Sequence, residues 1–184
     1  RDGTDKHIEH MNRARWTNYF KVEICDAYGD DAILPIPNGK VLKQNFVGSH
    51  LLEFDSLLVI SHFKGHPMGG FGGALKQLSV GCASQRGKCY IHSGGRNLDP
   101  QNFPNTFADQ EVFIDAMADA ASSVCDYFRG NMAFVNIAAN LSRDCDCCNV
   151  AENPCMENLG IFASLDPVAI DLACIDAVLS STDK

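Results

Sequence analysis

The sequence predicts an α/β domain in three layers, with a mostly parallel or mixed sheet between helices on both faces. Three observations carry this prediction. Residues 56–62 and 132–138 are continuous apolar runs without alternation, which is typical of strands buried on both faces. Helical periodicity fills much of the chain between them, and another helix signal follows Asp166. The 184 residues are expected to form a single domain, because this length supports one substantial core.

The elements before the first buried strand are short. Residues 5–16 form a predicted polar helix with Thr4 as its N-cap. Residues 19–25 alternate as a strand does, and residues 32–36 are a second short apolar strand between turn residues. Residues 48–54 are expected to make one or two helical turns.

The elements after the first buried strand have clearer boundaries. Thr106 and Asp109 fit a capping box for a helix that ends near Phe128. Asp166 and Pro167 stand in the order of an N-cap and a first helical residue, so they predict the start of another helix. Strands and helices therefore alternate along the chain, as they do in α/β folds.

Composition and charge exclude several classes of protein. A formal net charge of −8 argues against general nucleic-acid binding, which depends on cationic contacts to phosphates. No apolar run is long enough to span a bilayer, and the mixed charges of the first 12 residues do not resemble a signal peptide. Nine cysteines without such a signal favour reduced thiols in a cytoplasmic protein. Because the chain begins without Met, a fragment that lacks its N-terminal portion is expected.

A basic segment interrupts this acidic chain. Neither Asp nor Glu occurs between Asp55 and Asp99. A local excess of positive charge concentrates small anions without making the whole surface cationic. Small carboxylates and phosphates are therefore the expected ligands. The cationic side chains and histidines of the segment are Lys64, Lys76, Arg86, Lys88, Arg96, His62, His66 and His92.

The same segment has the composition of a ligand-binding turn. The buried strand ends in His62, six glycines follow, and a short helix is predicted over residues 74–80. Glycine lets backbone N–H groups approach an anion, and the start of the helix adds the positive end of its dipole. The turn is not a Walker A loop, because Lys76 does not stand in a Gly-Lys-Ser/Thr sequence. The structural alternative is a tight turn whose histidines only cap strands or pack.

Side-chain chemistry assigns candidate roles within this segment. Histidine exchanges protons near neutral pH, whereas lysine side chains and glycine amides hold anions. The candidate catalytic residues are His62, His66 and Lys76. The candidate anion-binding residues are Lys64, Gly70, Gly72, Gly73 and Lys88. His92 either completes the site or binds a metal ion.

A second candidate site is a cysteine cluster. Cys145, Cys147, Cys148 and Cys155 fall within eleven residues, among acidic side chains. Thiolates and carboxylates suit a soft cation, so these cysteines, together with His92, are candidate metal ligands. Their spacing is neither a Cys-x-x-Cys pair nor a ferredoxin run. A loop of reduced cysteines, or a disulfide formed by oxidation, is the alternative.

Several motifs along the chain are those of a known family. From about Val47 onward the sequence resembles proteins usually called iron–sulfur center proteins, which share domain of unknown function 362. The resemblance implies a 4Fe-4S cluster or a divalent metal ion (iron, nickel or zinc) as cofactor, and a ferredoxin-type redox partner. The ferredoxin-like insert common in that family after the position of His92 is missing, since residues 93–107 contain no cysteine. The motifs are Ser61-His62-Phe63-Lys64-Gly65-His66, Gly70-Phe71-Gly72-Gly73-Ala74-Leu75-Lys76, Gly81-Cys82-Ala83-Ser84, Gly87-Lys88 with His92, Asp144-Cys145-Asp146-Cys147, and residues 163–171.

A more distant similarity links the histidine, glycine and lysine segment to the nickel-pincer lactate racemases. It implies that Lys76 anchors the pincer cofactor, His92 ligates nickel and His66 transfers a proton. This chain has Leu75 where an arginine is usual in those enzymes. A shared scaffold with different chemistry is the alternative.

Two functions follow from these patterns. In the first, the domain has a His/Gly/Lys-rich anion or metal site and acts on a small carboxylate or phosphate. In the second, the cluster from Cys145 to Cys155 forms a redox or metal-binding module without turnover. The sequence leaves open whether the protein is an enzyme, and it predicts neither a nucleic acid nor a membrane as partner.

Overall fold

The computed structural model describes residues 3–148 and 152–183. Helices in these ranges are α1 (Gly3–Arg13), α2 (Ala74–Lys76), α3 (Gln85–His92), α4 (Gln110–Phe128) and α5 (Pro167–Ser180). Strands are β1 (Asp31–Pro35), β2 (Gln44–Gly48), β3 (Leu57–His62), β4 (Lys64–His66), β5 (Gly70–Gly72), β6 (Met132–Ala138) and β7 (Gly160–Ser164). A π-helical turn, Gln77–Gly81, continues α2, and Ser49–Glu53 forms a 3₁₀ turn. Within these ranges no helix has the length and apolar composition that crossing a bilayer requires.

The central sheet has three strands in the order β3-β6-β7. Strands β3 and β6 are parallel, whereas β7 runs antiparallel to β6. A parallel pair needs a crossover connection, and the chain supplies one that contains α2, α3 and α4. The predicted α/β class with a mixed sheet is confirmed. The predicted strand over residues 132–138 has the expected ends.

The main core lies between one face of this sheet and the helices. Val59 of β3 and Phe134 of β6 are buried in one cluster with Leu78, Val124 and Ile170. These residues come from both strands and from three helical segments. Burial of this apolar surface, at about 25 cal/mol per Å², is the main force that holds the helices on the sheet.

The opposite face of the sheet carries exposed aliphatic residues. Leu58 and Ile60 of β3 are 58% and 56% exposed. Ile137 and Ile161 lie on the same face by strand register and are also exposed. The prediction that β3 is buried on both faces is therefore wrong. A run of Leu, Val and Ile forms a strand whether one face or both are covered, so composition did not reveal the coverage.

Strands β1 and β2 form a separate antiparallel hairpin that lies against α4. The carboxylate of Asp119 in α4 accepts hydrogen bonds from the backbone N–H groups of Lys40, Val41 and Leu42, at 2.6–2.9 Å. Helix α3 joins the hairpin through a 2.9 Å hydrogen bond from the N–H of Ser84 to the carbonyl of Phe46. These contacts fix the position of α3, which ends in the site histidine His92.

Local sequence signals differ in their outcome. Asp166 caps α5 by accepting hydrogen bonds from Val168 and Ala169, as predicted. The predicted capping box of α4 is wrong, because the helix begins at Gln110 and the Thr106 hydroxyl accepts a hydrogen bond from Asn97. The predicted strand over residues 19–25 is also wrong, since that segment forms turns and irregular backbone. Alternation alone does not make a strand, which needs a neighbour to complete its hydrogen bonds.

Candidate functional site

The glycine-rich turn is built around a buried carboxylate from α5. Asp171 is 1% exposed and accepts hydrogen bonds from the N–H groups of Ala74 and Leu75 and from Nδ2 of Asn136, at 2.7–2.9 Å. A side chain on Gly73 would overlap the Asp171 carboxylate. Burial raises the pKa of Asp171, although its three hydrogen-bond donors oppose that rise. The start of α2, where the sequence predicts an external anion, therefore binds the protein's own Asp171.

The β4–β5 hairpin fixes the ring of His66. Its register pairs His66 with Gly70 and Lys64 with Gly72, so both predicted glycines serve the hairpin. His66 is 7% exposed, and its Nδ1 accepts hydrogen bonds from the N–H groups of Met68 (3.2 Å) and Gly69 (2.9 Å). Because Nδ1 accepts, the proton of the neutral ring lies on Nε2. His66 therefore presents an N–H donor to its other neighbours.

Cys145 is surrounded by groups that stabilise a thiolate. Lys76 Nζ lies 3.4 Å from Cys145 Sγ, and the backbone N–H of Cys147 donates to the same sulfur at 3.3 Å. Burial raises the pKa of the Cys145 thiol, but hydrogen bonds from His66 and Cys147 and the charge of Lys76 outweigh it, so the pKa falls from 9.0 to about 6. Burial and the adjacent Cys145 raise the pKa of Cys147 to about 11. The two thiols therefore share one negative charge near neutral pH.

An ion-pair cluster anchors the loop that carries these thiols. Asp146, between the two cysteines, binds His62 Nδ1 at 2.9 Å and Lys64 Nζ at 2.7 Å. His62 Nε2 lies 2.8 Å from the carbonyl of Ala139, so both ring nitrogens face acceptors. Burial raises the pKa of Asp146, but its hydrogen bonds and charge interactions with Lys64 and His62 lower it further than burial raises it. The predicted catalytic His62 and anion-binding Lys64 thus hold Asp146.

The structure brings two of the predicted metal ligands, Cys145 and Cys147, close together. One nitrogen of His66 and the sulfurs of Cys145 and Cys147 all lie within 4.8 Å of one another, so this group could hold a metal ion. Cys148 has its N–H bonded to the carbonyl of Cys145, and exposed Cys155 belongs to a separate apolar cavity. Of the four predicted cysteine ligands, the structure brings Cys145 and Cys147 together with His66, which the sequence indicates for proton transfer.

A cavity of about 600 Å³ opens in front of the thiol pair. Lys76, Lys88 and His92 line it, as the sequence predicts for an anion site, and His66 and Cys147 reach it too. One side is formed by α1, whose contribution the sequence analysis missed. The available signal was the spacing of basic residues along that helix. We call this cavity the basic pocket. The residues that α1 contributes to it are Lys6, His7, Glu9, His10 and Arg13.

His92 has a defined orientation in the basic pocket. Its Nδ1 donates to the carbonyl of Lys88 at 2.6 Å, so the lone pair of the neutral ring lies on Nε2. Its ring also contacts those of Phe103 and Phe113. His66 and His92 therefore line one cavity with opposite tautomers, the first a donor and the second an acceptor at Nε2.

Fold and site together define an α/β domain with a basic pocket and an adjacent pair of thiols, one buried and one exposed. The family model described as "Domain of unknown function (DUF362)" matches residues 2–176, and the chain belongs to this family. No curated protein matches the chain. Family membership specifies no reaction, so the iron–sulfur cluster and the racemase chemistry stay predictions.

Proposed function

We propose that the domain binds a small, multiply charged carboxylate or phosphate in the basic pocket, beside the Cys145–Cys147 thiol pair. The observation that supports it is the charge of the lining. Among the described residues, the lining contains four histidines and one acidic side chain, Glu9, together with the cations Lys6, Arg13, Lys76 and Lys88. Positive charge concentrated in a cleft focuses the field and raises the local concentration of anions. A volume of about 600 Å³ also suits a small ligand.

The cationic residues of the basic pocket are held by different parts of the fold. Lys76 is fixed by α2, which Asp171 anchors, and its ammonium also lies near Cys145. Lys88 stands on α3, which packs on the β1–β2 hairpin. Lys6 and Arg13 come from α1, where no residue is buried. A ligand that binds both sides is expected to hold α1 against the rest of the domain.

Replacing Lys88 with Ala tests the anion site. The change removes one of the pocket's cations, and we expect the affinity for pyrophosphate or citrate to fall about tenfold, since a charge-assisted contact contributes about 1.5 kcal/mol. Isothermal titration calorimetry on the full chain measures this. Lys21→Ala is the matched control, because Lys21 is exposed and paired with Glu23 outside the pocket. Equal affinities of Lys88→Ala and the parent would contradict the proposal.

A second candidate function is a metal site at His66, Cys145 and Cys147, favoured by their approach within 4.8 Å. Two cysteines and one histidine match a three-ligand zinc centre, in which the metal supplies a Lewis acid with an open position. The sulfurs fit this role, but His66 fits it poorly, because its Nδ1 accepts two backbone hydrogen bonds. A 4Fe-4S cluster takes four ligands, and this group contains two thiols and one imidazole.

The metal content of the purified protein tests the second candidate function. Elemental mass spectrometry of protein purified without air measures zinc, iron and nickel per chain. Stoichiometric metal that is lost in Cys147→Ser and retained in Cys148→Ser would support the metal site. Equal metal in Cys147→Ser and the parent would contradict it.

A further inference from the structure

We infer that Cys145 and Cys147 are a redox-active dithiol that exchanges with a small anionic disulfide bound in the basic pocket. The inference rests on the proposed anion site for the class of substrate, whereas the dithiol itself rests on the geometry of the two thiols. The required oxidant is a low-molecular-weight organic disulfide that carries carboxylates.

The positions of the two sulfurs carry the inference. They lie within 4.8 Å of one another and belong to residues two positions apart in a turn, outside any helix or strand. A disulfide needs Cα atoms about 4.4–6.8 Å apart, a span that residues i and i+2 of a turn reach with little backbone movement. The short loop that such a bond closes is strained, and strained disulfides are the labile ones used in exchange.

The two thiols differ in their access to the basic pocket. Cys147 is exposed and lines the pocket, whereas Cys145 is 3% exposed and lies behind it. An incoming disulfide therefore meets Cys147 first. Cys145 is placed to attack the sulfur of Cys147 afterwards, and Lys76 at 3.4 Å favours its thiolate form.

The exchange balances with the groups present. Cys147 Sγ passes its proton to Cys145 Sγ and attacks one sulfur of R–S–S–R, so that the S–S bond breaks and RS⁻ leaves. Cys145 Sγ gives that proton to the departing RS⁻ and attacks Cys147 Sγ, which expels a second RS⁻. The dithiol monoanion and R–S–S–R thus yield the Cys145–Cys147 disulfide, RSH and RS⁻. The two cysteines lose two electrons, and the substrate gains them.

The tautomer of His66 favours this chemistry over metal ligation. Nδ1 accepts from Met68 and Gly69, so the ring proton lies on Nε2, and one ring nitrogen lies within 4.8 Å of both sulfurs. A metal ligand needs a lone pair at that position, whereas a thiolate needs a donor. His66 therefore supports a negatively charged sulfur.

The test uses the reduced full chain without air, with oxidised glutathione as the anionic disulfide and hydroxyethyl disulfide as the neutral one. Remaining thiols are alkylated, and peptide mapping by mass spectrometry locates every disulfide. We expect the parent to form the Cys145–Cys147 disulfide with both reagents. Cys145→Ser should accumulate a mixed disulfide on Cys147, while the matched control Cys148→Ser should behave as the parent does.

The two reagents separate the dithiol from the anion site. We expect Lys88→Ala to slow the reaction with oxidised glutathione about tenfold and the reaction with hydroxyethyl disulfide much less, because the lysine attracts only the anionic reagent. The inference would be overturned if neither reagent produced the Cys145–Cys147 disulfide. It would also be overturned if a bound metal ion protected the two thiols from both reagents. Equal rates of parent and Lys88→Ala with glutathione would overturn the anionic substrate class and leave the dithiol intact.

Discussion

Replacing Asp171 with Ala is expected to lower the free energy of unfolding by about 3–5 kcal/mol, because an unsatisfied buried donor costs about 1–3 kcal/mol and three lose their acceptor. The donors are the N–H groups of Ala74 and Leu75 and the amide of Asn136. Since Asp171 anchors the start of α2, the change should also release Lys76 from its position near Cys145. Urea unfolding followed by circular dichroism measures the loss.

The matched control for this prediction lies on the same helix. Asp176 is exposed on α5, so Asp176→Ala should change the free energy of unfolding by less than about 0.5 kcal/mol. Similar values for the two variants would show that the Asp171 hydrogen bonds are not needed for stability.

Replacing Gly65 with Ala is expected to lower the free energy of unfolding by about 2–3 kcal/mol, in the range of overpacked core positions. The added Cβ would overlap the carbonyl oxygen of Arg143. The N–H of Gly65 already donates to the carbonyl oxygen of the neighbouring Ser142 at 2.9 Å, so the two segments are in close contact. The loop must then move away from β4 and carry Cys145 with it. Disulfide formation between Cys145 and Cys147 should slow for that reason.

Gly69→Ala is the control for Gly65→Ala. A Cβ at Gly69 would make ordinary contacts of 3.4 Å with His66, Met117 and Phe71. We therefore expect nearly unchanged stability for Gly69→Ala in the same denaturation measurement. A Gly65→Ala variant as stable as Gly69→Ala would mean that the loop accommodates the added methyl group without moving.

Sequence patterns predicted the elements whose signals are local. Residues 132–138 form β6 with the predicted ends, and Asp166 caps α5 through its own neighbours. Each signal lies within the element it predicts, so no distant residue was needed. The alternation of residues 19–25 is as local, but a strand also needs a partner that local sequence does not specify.

The basic segment predicted part of the lining of the basic pocket and not the positions of its other residues. Lys76, Lys88, His66 and His92 do line one pocket, as an anion site requires. His62 and Lys64 have the same side-chain chemistry but bind Asp146 instead. The charge of a segment does not show whether a lysine faces a cavity or pairs with an acidic residue far along the chain. Asp146, the partner of Lys64, lies 82 residues after it.

By itself, the sequence determined the α/β class, the two apolar strands that pair in the central sheet, the basic segment and the thiol-rich loop. The tertiary structure decided that Asp171 binds the start of α2, that α1 lines the pocket, and that Cys145 and Cys147 meet His66 and Lys76. Lys76 and Cys145 are 69 residues apart in sequence and 3.4 Å apart in space. Helix and strand patterns depend on neighbours within a few residues, whereas such contacts depend on how whole elements pack.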